Sequence, residues 1–220
     1  MKLSVCIPVY KVEAYIEKCA RSLFEQTYED LEFIFIDDCS PDGSIAKIEA
    51  VLKDYPARST QVRILRHERN SGLIAARQTA LHAATGDFIA HCDSDDWVDP
   101  EYYARMIAAA EATGADLVYA PIMREFPNGE TSRIENPPCE TGAEYLTRCC
   151  PGDGFNSMVN KIIRREIAQA EGVRLAEGVS LAEDLLYTAQ VMKRCGRITS
   201  VSDVAYHYRQ NAASITGAGI

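Results

Sequence analysis

Apolar residues fall into short runs separated by stretches of helical spacing, and the alternation starts with the first residues. Leu3 to Val9 is an apolar-rich run with the length of a buried strand. After it, Val12, Tyr15, Ile16, Cys19 and Leu23 recur at helical intervals and predict an amphipathic helix ending near Gln26 and Thr27. The plan repeats: Leu31 to Ile36 predicts a strand that stops at Asp37 and Asp38. Ser40 to Ser44 carries Pro and Gly turn signals, and Ile45 to Leu52 predicts a helix. Val62 to Leu65 is a third strand, and Asn70, Ser71 and Gly72 make a turn. Leu73, Ala76, Ala80 and Ala84 mark the buried stripe of a helix that Gly86 closes. Asp87 to Cys92 is a fourth strand. Asp99 as cap and Pro100 at the first position predict a helix from there to about Thr113.

Beyond this point the pattern loosens. Ala115 to Pro121 predicts a fifth strand, and Asn128 with Gly129 a hairpin turn between Ile122 and Ile134. A helix is expected near Thr141 to Cys149, then a Gly-rich bend from Pro151 to Gly154. A clearer helix follows near Ala182 to Arg194, where Ser180 and Glu183 form a capping box. Ala205 to Arg209 alternates as a late strand or extended turn. Strands alternating with helices predict an α/β fold, Rossmann-like, with a mostly parallel central sheet flanked by helices and a small C-terminal half.

At 220 residues and 47% hydrophobic, the chain can bury the core of one domain but not of two independent ones. Acidic residues outnumber basic ones by 32 to 23, which gives nucleic-acid binding no electrostatic support. An anionic substrate would then need local help from a divalent cation or from helix N-termini. The eight cysteines show no CxxC pair or zinc-ligand spacing, and buried reduced thiols are the simplest expectation. The run that opens the chain is too short for a signal-peptide core, and nothing approaches the roughly 20 apolar residues of a membrane helix. A cytoplasmic location is expected, with peripheral association at the inner membrane face left open.

In a parallel sheet, ligands gather where strands end and loops leave. Asp93, Ser94, Asp95 and Asp96 follow directly on the fourth strand, and like charges so close repel one another. A bound Mg²⁺ or Mn²⁺ would relieve that repulsion and bridge to substrate phosphates; the alternative is a solvated turn whose acids cap the next helix. Asp37 and Asp38 fit either a capping turn or a carboxylate that accepts a hydrogen bond from a base, with Tyr10 offering a face for stacking. Arg77 sits on or beside a buried helix stripe and needs a partner, which is either a structural carboxylate or a substrate phosphate or base. Glu183 and Asp184 open the late helix, where they either complement its dipole or, in the case of Asp184, supply an ionised general base. His207 is read as structural, with metal ligation or a place in the active site as the alternatives.

Taken together these motifs resemble the family 2 glycosyltransferases, inverting enzymes with the GT-A nucleotide-diphospho-sugar transferase fold. The resemblance is carried by Ser4 to Tyr10 (SVCIPVY), Ser22 to Tyr28 (SLFEQTY), Asp37 to Ser40 (DDCS), Asn70 to Arg77 (NSGLIAAR), Asp93 to Trp97 (DSDDW) and Glu183 to Leu185 (EDL). Looser matches are Asn160 with Lys161, and Tyr206 to Arg209. It implies a single domain over residues 1–220, with about 1–100 binding the nucleotide sugar and about 101–220 forming the acceptor and catalytic half. Pro8 and Tyr10 would border the nucleoside, Asp38 contact the base with Asp37 beside it, and Gly72, Arg77, Asp93 and Ser94 line the donor pocket. Asp93 and Asp95 would be the Asp-x-Asp pair on a Mn²⁺ or Mg²⁺ ion, and Asp184 the catalytic base. The implied donor is a nucleotide-diphospho-sugar, UDP-linked first, and the implied acceptor a glycan or lipid-linked hydroxyl in cell-surface polysaccharide synthesis.

No Gln-x-x-Arg-Trp pattern of processive synthases occurs, so transfer of one sugar is expected. The sequence stops at Ile220, soon after the Tyr-His-Tyr-Arg segment, and part of an acceptor or membrane-contact region is expected to lie outside it. Two other classes compete: a nucleotidyl- or phosphotransferase, disfavoured by the lack of a P-loop, and a noncatalytic subunit that binds sugar nucleotides.

Overall fold

The expected alternation is present in a computed structural model that describes residues 1–150, 156–175 and 183–210. Strand β1 (Leu3–Val9) leads to α1 (Ile16–Phe24), and β2 (Leu31–Asp37) to α2 (Ser44–Leu52). A 3-10 helix (Pro56–Gln61), not foreseen from the pattern, precedes β3 (Val62–Arg66), and α3 (Leu73–Ala83) precedes β4 (Phe88–His91). β1 is buried along its whole length and pairs in parallel with β2 on one side and β4 on the other, while β3 extends the sheet from β2. Burial on both faces is why β1, β2 and β4 read as mostly apolar runs, whereas the edge strand β3 is only half-buried. α1 covers the sheet with Ile16, Cys19, Ala20, Leu23 and Phe24, and the Phe24 ring meets Phe33 and Phe35 edge-on at 5.5 and 6.2 Å. Each large side chain sequestered this way stabilises the fold by about 1.5–3 kcal/mol.

The chain continues through β5 (Trp97–Val98), α4 (Tyr102–Thr113), β6 (Leu117–Tyr119), β7 (Ile122–Glu125), β8 (Thr131–Ile134) and α5 (Gly142–Arg148). Then come β9 (Lys161–Arg164), α6 (Arg165–Ala168), α7 (Glu183–Met192), β10 (Ile198–Ser200) and β11 (Tyr206–Arg209). The central sheet has seven strands in the order β10-β6-β9-β4-β1-β2-β3, and a second sheet has the order β5-β11-β7-β8. β9, which the pattern did not predict, lies antiparallel between β4 and β6, so the sheet is parallel apart from this one strand. The run Ala115 to Pro121 yields only the three residues of β6 to the central sheet. Ile122 already belongs to the second sheet, which pairs in a hairpin around the expected Asn128 and Gly129 turn.

Two local expectations are corrected. Asp99 does not cap α4: its carboxylate accepts from Ala205 N at 2.8 Å and lies 2.9 Å from His207 Nε2, tying the turn to β11. Gly86 does not end α3, which has already stopped at Ala83. It lies instead where a Cβ would sit 2.7 Å from the Lys2 carbonyl, so its lack of a side chain lets the entry to β4 approach β1. The bend at Pro151 to Gly154 and the Ser180 half of the capping box fall outside the described residues.

A Cβ on Gly142 would lie 1.8 Å from the Met192 carbonyl oxygen, so α5 and the end of α7 touch through bare backbone. Gly142→Ala is therefore expected to cost about 3 kcal/mol, on the order of 10 °C in melting temperature, measured by thermal unfolding. None of the eight cysteines is bonded to another. Six are buried as expected, whereas Cys39 is exposed and Cys150 half-buried. Among the described residues no helix is long and apolar enough to cross a membrane.

Candidate active site

The loops that leave β1 and β2 are laced together at the carboxyl edge of the sheet. Asp42 is the knot: Oδ1 accepts from the Ser40 and Ser44 hydroxyls at 2.7 and 2.6 Å, and Oδ2 accepts from Glu13 N at 3.0 Å. Burial acts to raise its pKa, but these hydrogen bonds outweigh it and hold the carboxyl at about 2. Ser40 and Ser44 in turn accept from the amides of Lys11 and Val12. Sequence reading passed over Asp42 as part of a Pro-Asp-Gly turn. Pro8 is buried within β1, while Tyr10 just beyond the strand is 38% exposed, with the Lys11 ammonium 5.1 Å from the centre of its ring.

Asp37 and Asp38 divide their work. Asp37 Oδ1 accepts from Ser40 N at 2.8 Å and Oδ2 lies 3.7 Å from Arg66 Nε. Asp38 accepts from Ser71 N and Gly72 N at 2.8 Å each, and its Oδ1 lies 2.7 Å from His67 Nδ1. Its buried carboxylate thus anchors the turn before α3, where Gly72 has a φ of 89°.

The acidic turn is pinned from the second sheet. Tyr206 Oη accepts from Asp93 N at 3.0 Å and donates to Asp96 Oδ2 at 2.8 Å. Arg209 donates from its amide to Asp96 Oδ1 and from Nε to the Asp95 carbonyl, both at 2.8 Å. Burial, then the charges of Asp95 and Asp93, pushes the Asp96 carboxyl well up, and burial with Asp93 raises Asp95 to about 6. Ser94 is buried between them. The donor set fits a hard divalent cation: Asp93 and Asp95 are crowded carboxylates whose mutual repulsion such an ion would remove. No group of three or more acidic, His or Cys residues among the described ones could hold a metal unaided, so an ion here would draw further oxygens from its substrate.

His207 is held between two carboxylates. Its Nδ1 lies 2.6 Å from Glu125 Oε1 and its Nε2 2.9 Å from Asp99 Oδ1, while the ring stacks on Trp97 at 5.2 Å. Both nitrogens are thus engaged by acidic side chains, an arrangement that suits a structural role.

Arg77 closes the site. It is 2% exposed, and its two terminal nitrogens reach in different directions: Nη2 donates to Asp93 Oδ1 at 2.8 Å and Nη1 to Asp184 Oδ1 at 2.9 Å, with Glu183 at 3.9 Å. The other oxygen of Asp184 accepts from Ser157 Oγ at 2.8 Å and Met158 N at 3.2 Å. Beneath this loop Lys161 is buried and donates to the Ser157 carbonyl and to Asn160 Oδ1. Burial, against the pull of Asp184, lowers its ammonium to about 7. His91, also buried, is lowered to about 3 by burial and then by Arg77, so its ring stays neutral. Of these supports, the sequence marked Asn160, Lys161 and Tyr206 to Arg209 only as loose matches and missed Ser157, because their partners come from distant segments.

A parallel sheet whose strand ends carry this acidic turn, with a guanidinium joining it to a late helix, defines an α/β protein of the GT-A fold. The chain belongs to glycosyl transferase family 2, whose model matches residues 4–171. It is 29% identical over 222 residues to EpsJ, an uncharacterised glycosyltransferase of Bacillus subtilis, covering 97% of this chain and 62% of that protein. The crystal structure of Staphylococcus aureus TarS 1–349 in complex with UDP-GlcNAc matches with a TM-score of 0.81 and 25% identity, over 100% of this chain and 62% of that one. Full-length TarS, a poly(ribitol-phosphate) beta-N-acetylglucosaminyltransferase, is 28% identical over 211 residues, which is 94% of this chain and 35% of TarS. The chain thus spans less than two thirds of these relatives.

Proposed function

We propose that this chain is a single-domain catalytic unit that moves one sugar from a nucleotide-diphospho-sugar, with UDP as the nucleotide, to a hydroxyl of a glycan or lipid-linked acceptor. The observation that carries this reading is the Arg77 bridge, which joins Asp93 on the donor side to Asp184 on the acceptor side. Tyr10 would stack on the base, and Asp37, Asp38 and Gly72 would shape its pocket. The UDP-GlcNAc complex of TarS supports a uridine donor. Asp93 and Asp95 would hold Mn²⁺ or Mg²⁺, which, when bound, supplies charge neutralisation to the departing diphosphate.

In the reaction, an acceptor hydroxyl would take the place on Asp184 Oδ2 that Ser157 Oγ now holds. As its oxygen forms a bond to the anomeric carbon, its proton passes to Asp184. The bond from that carbon to the diphosphate oxygen breaks, the electron pair leaves with the nucleotide, and in-line attack inverts the anomeric centre. The setting we infer is cell-surface polysaccharide synthesis, at the cytoplasmic side of the membrane.

Product analysis with a panel of nucleotide sugars and Mn²⁺ tests this. Release of a nucleoside diphosphate is expected, and release of pyrophosphate would make the protein a nucleotidyltransferase. Donor binding with neither transfer nor donor hydrolysis would leave a noncatalytic subunit.

A further inference from the structure

A groove of about 650 Å³ runs along the outer side of α1, beside the segment from Trp97 to Pro100 that continues the acidic turn. At its upper end two cations share one indole. Lys18 Nζ stands 3.1 Å from the centre of the Trp97 ring, and the Arg209 guanidinium lies 4.9 Å from it and 4.9 Å from the Tyr15 ring. Partial loss of solvent and then the nearby Arg209 charge lower the Lys18 pKa, so the two cations repel each other.

The acids that line or face the groove, Glu17 and Glu25 among them, have partners of their own. Glu17 pairs with Arg21, which also holds Asp54; Glu25 accepts from the Tyr55 hydroxyl; Glu125 and Asp99 face His207. Arg209 does donate to Asp95, but through that residue's backbone carbonyl. Neither Lys18 nor Arg209 has a carboxylate within salt-bridge distance among the described residues. In a chain of net charge −9, this is a pair of positive charges fixed by an aromatic scaffold, on which Glu125 and Asp95 act only from beyond ion-pair contact.

We propose that this groove is an acceptor subsite for a phosphate group, with Lys18 and Arg209 as its ligands and Trp97 as the support that holds both in place. Arg offers a planar fork and Lys a point charge, the combination that suits phosphate oxygens. The acceptor is then a phosphate-bearing chain, anchored beside the segment that continues the acidic turn. This deepens the proposed transfer reaction and rests on it.

The test is a titration of glycerol 3-phosphate, with glycerol as control, into protein saturated with UDP and Mn²⁺, followed by calorimetry. Binding of the phosphate but not of glycerol is expected, weakened about tenfold in Lys18→Gln and restored in Lys18→Arg. Failure of UDP itself to bind would sink the transferase reading instead, which keeps the two apart. If UDP binds and glycerol 3-phosphate does not, or binds only when UDP is absent, the cations serve no acceptor and the inference is overturned. A second arm uses vesicles of phosphatidylcholine with and without phosphatidylglycerol. Sedimentation with the anionic vesicles that Lys18→Gln abolishes, without glycerol 3-phosphate binding, would make the groove a membrane contact and overturn it too.

Discussion

Asp184→Asn should lower sugar transfer by about a thousandfold while UDP continues to bind. The exchange keeps size and shape. An amide oxygen can still accept from Arg77, so the bridge to Asp93 keeps both ends, and the Ser157 hydroxyl can turn to accept from the new amide nitrogen, while the Met158 N–H loses its acceptor. What is lost is the capacity to take a proton from an attacking hydroxyl, a contribution of about 10²–10⁴ in rate for general-base catalysis. Steady-state transfer assays alongside calorimetric titration of UDP separate the two effects. A variant that transferred at the parental rate would remove Asp184 from the base role and leave it as an anchor for Arg77.

The second large effect is expected at Arg77. Arg77→Met removes the charge between Asp93, Asp184 and Glu183 and leaves three acidic side chains facing one another at the edge of a buried space. Breaking a buried pair from one side costs about 3–5 kcal/mol; because the three acids keep partial solvent contact, the low end, about 3 kcal/mol, is expected here. Urea unfolding reads this as a drop in midpoint without a change in slope. Arg77→Lys should recover part of the stability but little transfer, since one ammonium cannot reach two carboxylates on opposite sides as the planar fork does. Full recovery of transfer by lysine would show that charge alone, not the bridge, is what the site needs.

Much of this arrangement was legible in the sequence. The ends of β1, β2 and β4 could be located because each is a buried parallel strand, apolar but for Ser4, Glu32 and His91, that gives way abruptly to polar residues at Tyr10, Asp37 and Asp93. The requirement that Arg77 have a partner followed from its place on a buried helix face. Which partner did not, because Asp93 and Asp184 are brought to it by separate elements. The four residues of β9 carry no alternation and no flanking turn signal that would mark them as a strand. Their place between β4 and β6 is set by long-range pairing that no local pattern encodes. The same holds for His207. Its own segment was readable as extended, but Glu125 and Asp99, which decide its chemistry, enter from β7 and from the turn before α4.

The insertion of β9 also has a consequence for how the chain is made. Synthesis delivers β1 to β4 first, yet the edge of β4 gains its neighbour only after β9 has emerged, once α4, the hairpin and α5 have already been made. Until then the nascent protein carries an open, apolar strand edge of the kind that recruits other chains. Its order of translation therefore differs from its order of closure, and that single crossing predicts slow maturation sensitive to aggregation. A product released before residue 164 would hold the residues expected to bind nucleotide but lack the strand that seals them.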